Sequence, residues 1–199
     1  MRIPVTTLND GYDFPLLGLG TYKLDPEETE KIVRTAIELG YRHIDTASFY
    51  GNEVEVGKAI NGAIAAGDVT REELFVTTKL WNDDQERVGE AYEESLRRLD
   101  LEFLDLYLVH WPWPQHGTYV QAFEQITQLQ GMGRLQSAGV ANFYPEVLDE
   151  IIEATGVTPV LNQVELHAGF TQPELREYHT KHGIVTEAWA PLARGENFD

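Results

Sequence analysis

FLDLYLVH at residues 103–110, TYVQAFEQITQLQGMG at 118–133 and LQSAGVANF at 135–143 follow one another in the chain. The outer two are short runs rich in β-branched, aromatic and other apolar residues. The middle one carries its apolar residues at helical spacing. Strand, helix and strand in succession make one βαβ unit, whose two strands run parallel because the helix returns the chain to its starting end. The alternation recurs on both sides. Upstream lie LLGLGTY at 16–22, YRHIDTA at 41–47 and LFVTTKL at 74–80; downstream lie PVLNQVELH at 159–167 and IVTEAWAPL at 184–192. Seven β-type runs spaced about 25 to 30 residues apart predict an α/β protein built of repeated βα units on a parallel sheet. Helices are expected at 25–40, 52–67, 84–100, 118–133, 144–156 and 171–183. The first opens on Asp25-Pro26 and acidic residues and closes at Gly40, with Ile32, Ala36 and Leu39 on its apolar face. Ahead of the first run, TTLNDGYDFP carries an Asn-Asp-Gly turn between apolar patches, which predicts a small β-hairpin.

Composition bounds the function. A chain of 199 residues with 42% hydrophobic residues can bury a proper core and reads as one domain, residues 1–199. Its 33 Asp and Glu against 15 Lys and Arg give a formal charge of −18. Such a surface repels nucleic acid and anionic membranes, so neither is an expected partner. Zero cysteines exclude disulfides, thiolate metal sites and cysteine nucleophiles. The N-terminal MRIPVTTLNDGYDF has no apolar signal-type segment and no stretch approaches the length of a membrane span, so a cytoplasmic protein is expected.

Four chemistry-bearing side chains sit at or just beyond the ends of successive apolar runs: Asp45 and Tyr50 in HIDTASFYGNE, Lys79 in LFVTTKLWN and His110 in LDLYLVHWPWP. Singly, each has a bland reading as an ion-paired strand end, a core histidine or a turn aspartate. Together they make a proton-donating site for carbonyl reduction. Tyrosine is a poor acid at neutral pH because its ordinary pKa is about 10. An ammonium beside it stabilises phenolate and is expected to bring that value down, and a carboxylate keeps the ammonium charged and aimed. Tyr50 is then the general acid, Lys79 its electrostatic partner, Asp45 the anchor of the lysine, and His110 a hydrogen-bond donor to the carbonyl oxygen. Other titratable groups fit less well. Glu93 and Glu94 read as solvated helix surface, and His179 and His182 lack a third metal ligand.

This set, in its local sequences and chain order, resembles the catalytic tetrad of the aldo-keto reductases, and the likeness runs from LNDGYDFPLLGLGTYKL to AWAPLARG. The resemblance implies a TIM (β/α)8-type barrel, here incomplete at about seven βα units, with the hairpin plugging one end. A full barrel typically needs about 250 residues. It implies NADPH as cofactor, with NADH left open, and a small-molecule carbonyl substrate: an aldehyde, ketone or keto-sugar. Asn142 and Gln163 match residues that bind the nicotinamide carboxamide, while Ala141 stands where the family has serine. Trp189 matches the aromatic that stacks on the nicotinamide ring, as in the bacterial 2,5-diketo-D-gluconate reductase type. Ala190, Leu192 and Arg194 would approach the pyrophosphate, Arg194 as a cation, and Thr21 the nicotinamide side. Tyr22, Phe49, Trp81, Trp111 and Trp113 resemble the pocket aromatics. The family's last strand, C-terminal helices and 2′-phosphate motif have no counterpart after Leu192, which suggests a truncated chain with barrel edges open to self-association. A non-catalytic relic or regulatory module of the same fold, binding cofactor weakly or not at all, is the alternative reading.

Overall fold

The computed structural model describes residues 3–195. Strands β1 (Val5–Thr7) and β2 (Asp13–Pro15) form the antiparallel hairpin. There follow β3 (Gly18–Gly20), α1 (Pro26–Glu38), β4 (His43–Asp45), α2 (Glu53–Ala66), β5 (Phe75–Leu80), α3 (Val88–Leu99) and β6 (Leu104–Val109). The remainder is α4 (Tyr119–Gly131), β7 (Leu135–Ala141), α5 (Pro145–Thr155), β8 (Leu161–Glu165), α6 (Pro173–His182) and β9 (Val185–Trp189). Strands β3 to β9 pair in sequence order, all parallel. Side chains from distant strands meet inside the curled sheet: Gln163 of β8 donates to Asp45 of β4 at 2.9 Å, and His43 of β4 lies 3.9 Å from Glu187 of β9. The sheet is thus an incomplete TIM-type barrel. Among the described residues β3 and β9 do not pair with each other.

Local chemistry sets the elements. Asp25 caps α1 by accepting from the Glu27 amide, with Pro26 at the first helical position. Gly67, Gly156 and Gly183 take left-handed backbone at the ends of α2, α5 and α6. Strands β5 and β6 are buried at every position because helices cover one face and the barrel interior the other. Two cores result. One lies between strands and helices, around Val33, Ile60, Tyr92, Leu99, Phe123 and Ile151. The other fills the barrel with Leu106, Leu108, Val160 and Leu161, and is closed from below by Leu8 and Phe14 of the hairpin. Hydrogen bonds hold that plug in place: Asn9 donates to the carbonyls of Pro159 and Gly183, and Ser137 donates to Asp10.

Two expectations need correcting. Leu39 is 64% exposed, because the buried face of α1 centres on Val33, Ala36 and Ile37. Strands β3 and β4 are three residues each, shorter than the apolar runs that contain them. After β9 the chain turns at Ala193–Gly195 with left-handed backbone at all three residues. Residues 196–199, part of the terminal stretch expected to hold neither strand nor helix, lie outside the described residues, as do residues 1 and 2. Among the described residues no helix is long and apolar enough to cross a membrane.

Candidate active site

The C-terminal ends of parallel barrel strands open on one mouth, and Asp45, Lys79 and His110 all stand there. Lys79 projects from β5 with no exposed surface. Its ammonium donates to Asp45 Oδ1 at 2.5 Å, to the Thr46 carbonyl at 2.9 Å and to Tyr50 Oη at 3.2 Å. All three ammonium protons therefore have acceptors, which is what a buried lysine requires to stay charged. Burial alone would pull Lys79 down, but the charges of Asp45 and Tyr50 and the hydrogen bond to Asp45 outweigh it and hold the lysine above its usual value. Asp45 is held on its other oxygen by Gln163, so the carboxylate has one orientation.

Tyr50 ends a single 3-10 turn, Ser48–Tyr50, closed by Gly51 in left-handed backbone. The Ser48 hydroxyl donates to the Lys79 carbonyl at 3.0 Å and ties this turn to β5. Behind it, Asn52 is fully buried and donates to the Thr21 carbonyl at 2.9 Å. Contrary to the expectation from sequence, the Tyr50 phenol lies above its ordinary value. Burial is the larger influence, and Lys79 only partly offsets it. The phenol is thus firmly protonated at neutral pH.

His110 caps β6 and is held neutral, its pKa lowered to about 3 by burial and then by the Lys79 charge. Its ring stands edge-on to Tyr50 and Trp81, with centroids 5.8 and 5.2 Å away. Its Nδ1 is buried without a hydrogen-bond partner. Asn142 takes a left-handed backbone, φ 62°, and its side chain bridges the site. It donates to the His110 carbonyl at 2.9 Å and accepts from the Trp189 indole at 2.8 Å. Asn162 fixes the loop that follows by bonding both backbone groups of Phe143 and donating to His179. His179 is buried, and its other ring nitrogen faces Thr186 at 2.9 Å; His182 meets the Tyr178 carbonyl.

The remaining expected residues divide. Trp189 is partly buried beside Asn142, and the Arg194 guanidinium lies 5.8 Å from the centre of its ring. Ala190, Ala193 and Arg194 all take left-handed backbone, so the chain turns sharply at this rim; Leu192 is 67% exposed on it. Thr21 leaves the set of contact residues. It is fully buried, and its hydroxyl is engaged with Thr46 and Asn52, so it holds the loops rather than facing the mouth. Phe49 stacks on Trp81 at 3.8 Å, and Tyr22 lies 5.0 Å from Tyr50. Trp111 is half-exposed, its carbonyl accepting from Gln85; Trp113 stacks on His116 instead of on the tetrad rings. Glu93 pairs with Arg134 and Glu94 with Arg87 on the outer surface.

Reading the sequence missed two groups. Glu53, at the start of α2, has a buried carboxylate that accepts from Thr78 at 2.6 Å and from Arg98 at 2.6 Å, and so fixes the segment just after Tyr50. Glu187 lies inside the barrel. Its position two residues before Trp189, hence on the same face of the strand, was the available signal.

A family model described as the aldo/keto reductase family matches residues 16–196. The chain belongs to the aldo-keto reductase family. A protein of Salmonella typhimurium named methylglyoxal reductase DkgA is 50% identical over 191 residues, which is 96% of this chain and 68% of that protein. An aldo-keto reductase of Mycolicibacterium smegmatis is 48% identical over 194 residues, 96% of this chain and 69% of the relative. Among solved structures, an aldo/keto reductase from Brucella melitensis matches with a TM-score of 0.92 and 46% identity, over 99% of this chain and 76% of that one. A Bombyx mori aldo-keto reductase in complex with NADP matches with a TM-score of 0.91 and 37% identity, over 100% of this chain and 71% of the other. The chain is an oxidoreductase of this carbonyl-reducing family.

Proposed function

We propose that this protein reduces aldehydes, ketones or keto-sugars to alcohols with NADPH, and that Tyr50 is the proton donor. Residues 1–199 act in this reading as one barrel domain. The observation that carries it is the buried run from Asp45 through the Lys79 ammonium to the Tyr50 hydroxyl, 2.5 and 3.2 Å long, at the strand ends. The residues around it fit a nicotinamide cofactor. Trp189 offers an indole face fixed by Asn142; Asn142 and Gln163 offer amides for a carboxamide; Arg194 adds a cation at the rim. When bound, NADPH supplies the hydride that the carbonyl carbon receives. His110, neutral and a hydrogen-bond donor, orients the carbonyl oxygen. Tyr50 gives that oxygen its proton, and the phenolate left behind is stabilised by Lys79 until water reprotonates it. Phe49 and Trp81 beside His110, and Tyr22 beside Tyr50, offer apolar surface next to the proton donor that suits small carbonyl compounds.

The test is NADPH-dependent reduction of methylglyoxal, followed by loss of NADPH absorbance. Tyr50→Phe keeps the ring and removes the acid, and is expected to lower kcat by about 100-fold or more, in line with the usual contribution of general acid catalysis. Cofactor binding, read by tryptophan fluorescence, should be little changed. Undiminished turnover in this variant would refute the assignment.

A further inference from the structure

One ionisable group inside the barrel has no part in the chemistry described above. Glu187 projects from β9 with its side chain only 14% exposed. Its Oε2 is buried with no hydrogen-bond partner. One carboxylate oxygen of Glu187, one of Asp45 and a ring nitrogen of His43 all lie within 4.8 Å of one another. The groups facing it are His43 and Asp45 from β4, Lys79 from β5 and the uncharged Gln163 from β8. His43 brings no compensating charge, because burial lowers its pKa to about 4. Two carboxyl groups thus share one ammonium, and that ammonium already spends its protons on Asp45, Thr46 and Tyr50.

We propose, on the reading that Tyr50 is the proton donor, that Glu187 is a positioning residue that changes charge beneath Lys79 and thereby sets the pH at which Tyr50 passes from proton donor to proton acceptor. Burial first, and then the Asp45 charge, raise the Glu187 pKa to about 8. Below that pH the group is neutral, and Lys79 is balanced by Asp45 alone. Above it a second negative charge favours the protonated ammonium and weakens its pull on the phenol. Tyr50 then keeps its proton to higher pH. Carbonyl reduction, which needs the phenol, persists further into alkali; alcohol oxidation, which needs the phenolate, begins later.

The experiment compares pH profiles of kcat/KM for NADPH-dependent methylglyoxal reduction and for NADP-dependent oxidation of the product alcohol, in the parent and in Glu187→Gln. Glutamine fixes the uncharged state at nearly the same volume. Both alkaline midpoints are expected to move to lower pH by about half a unit to one unit, the size of one unit charge acting through a partly screened interior. A second readout is independent of turnover: the urea midpoint of Glu187→Gln relative to the parent should rise between pH 5 and pH 8. A merely structural residue would shift stability equally at every pH and leave the kinetic midpoints in place, and that result overturns the proposal. Should Glu187→Gln fail to fold, carboxyl-carbon NMR of the parent decides the matter. One glutamate titrating near pH 8 supports the proposal, and none doing so overturns it. Failure of the underlying reading is distinguishable, because only then does Tyr50→Phe retain full activity.

Discussion

Ala141 ends β7 fully buried, against the apolar filling of the barrel, one residue before the asparagine that bridges His110 and Trp189. A hydroxyl at this position would add a donor beside Asn142 and Gln163, whose own amides are engaged with His110, Trp189 and Asp45. One neutral hydrogen bond is worth about 0.5 to 1.5 kcal/mol, so Ala141→Ser should tighten NADPH binding by about two- to tenfold. Fluorescence titration measures this directly, and an unchanged Kd would mean the added hydroxyl finds its partner within the protein. At this scale the grouping of Asp45, Tyr50, Lys79 and His110 was legible, because three stand at strand ends and Tyr50 in the loop just beyond one, each in a distinctive local sequence. The acidity of Tyr50 was not. The sequence shows the lysine that lowers the phenol pKa, but only the folded chain shows that burial raises it more. Thr21 was misplaced for the same kind of reason, since its partners Thr46 and Asn52 lie in other segments.

Helix α2 passes close to α3 at Gly57. A Cβ added to Gly57 would come within 2.2 Å of the Leu99 carbonyl oxygen, a contact no side chain tolerates and one made with backbone, which cannot swing aside. Two effects compete in Gly57→Ala. Alanine gains about 1 kcal/mol of helix propensity over glycine, whereas forcing packed helices apart costs about 1 to 3 kcal/mol and more against a rigid neighbour. The clash wins. The variant is expected to lower the urea-derived stability by about 1 to 2 kcal/mol, and to reduce turnover, because Glu53 on the same helix anchors the segment after Tyr50 through Thr78 and Arg98. A stabilised variant would show that the helices can part freely. All seven parallel strands and six helices were legible from periodicity and from Gly and Pro punctuation. Their limits were less so. Helix α3 starts at Val88 instead of at residue 84, because Asn82–Asp84 forms a separate 3-10 turn. Residues 16–22 contain only a three-residue strand for the same kind of reason: apolar runs mark burial, and ladder pairing is set by neighbours the run does not reveal.

Across the whole molecule, buried titratable groups pull stability in opposite directions with pH. His43, His110 and His179 are held neutral, their pKa values lowered from 6.5 to about 4, 3 and 4, with burial the largest cause in each. The unfolded chain binds more protons at these sites below pH 6.5, so their contribution is present above that value and is lost as pH falls toward 4 and below. Glu187 acts with the opposite sign. Its folded pKa is raised from 4.5 to about 8, so its contribution is full below pH 4.5 and is lost as pH rises through about 8. Each fully shifted group contributes a slope of about 1.4 kcal/mol per pH unit within its window. Between pH 4.5 and 6.5 three histidines oppose Glu187 and the buried Asp105, whose pKa burial also raises, and stability climbs with pH; above 6.5 the histidines no longer contribute a slope, Glu187 dominates and stability declines. The formal charge of −18 at neutral pH adds self-repulsion on the alkaline side. Urea midpoints measured across pH 4 to 9 are therefore expected to peak near pH 6 to 6.5 and to fall on both sides. Added salt should lift the alkaline arm more than the acidic one, because it screens surface repulsion and leaves the buried histidines untouched. A profile flat from pH 4.5 to 6.5 would mean that these histidines reach water, and with it the packing around His110 in the candidate site would have to be redrawn.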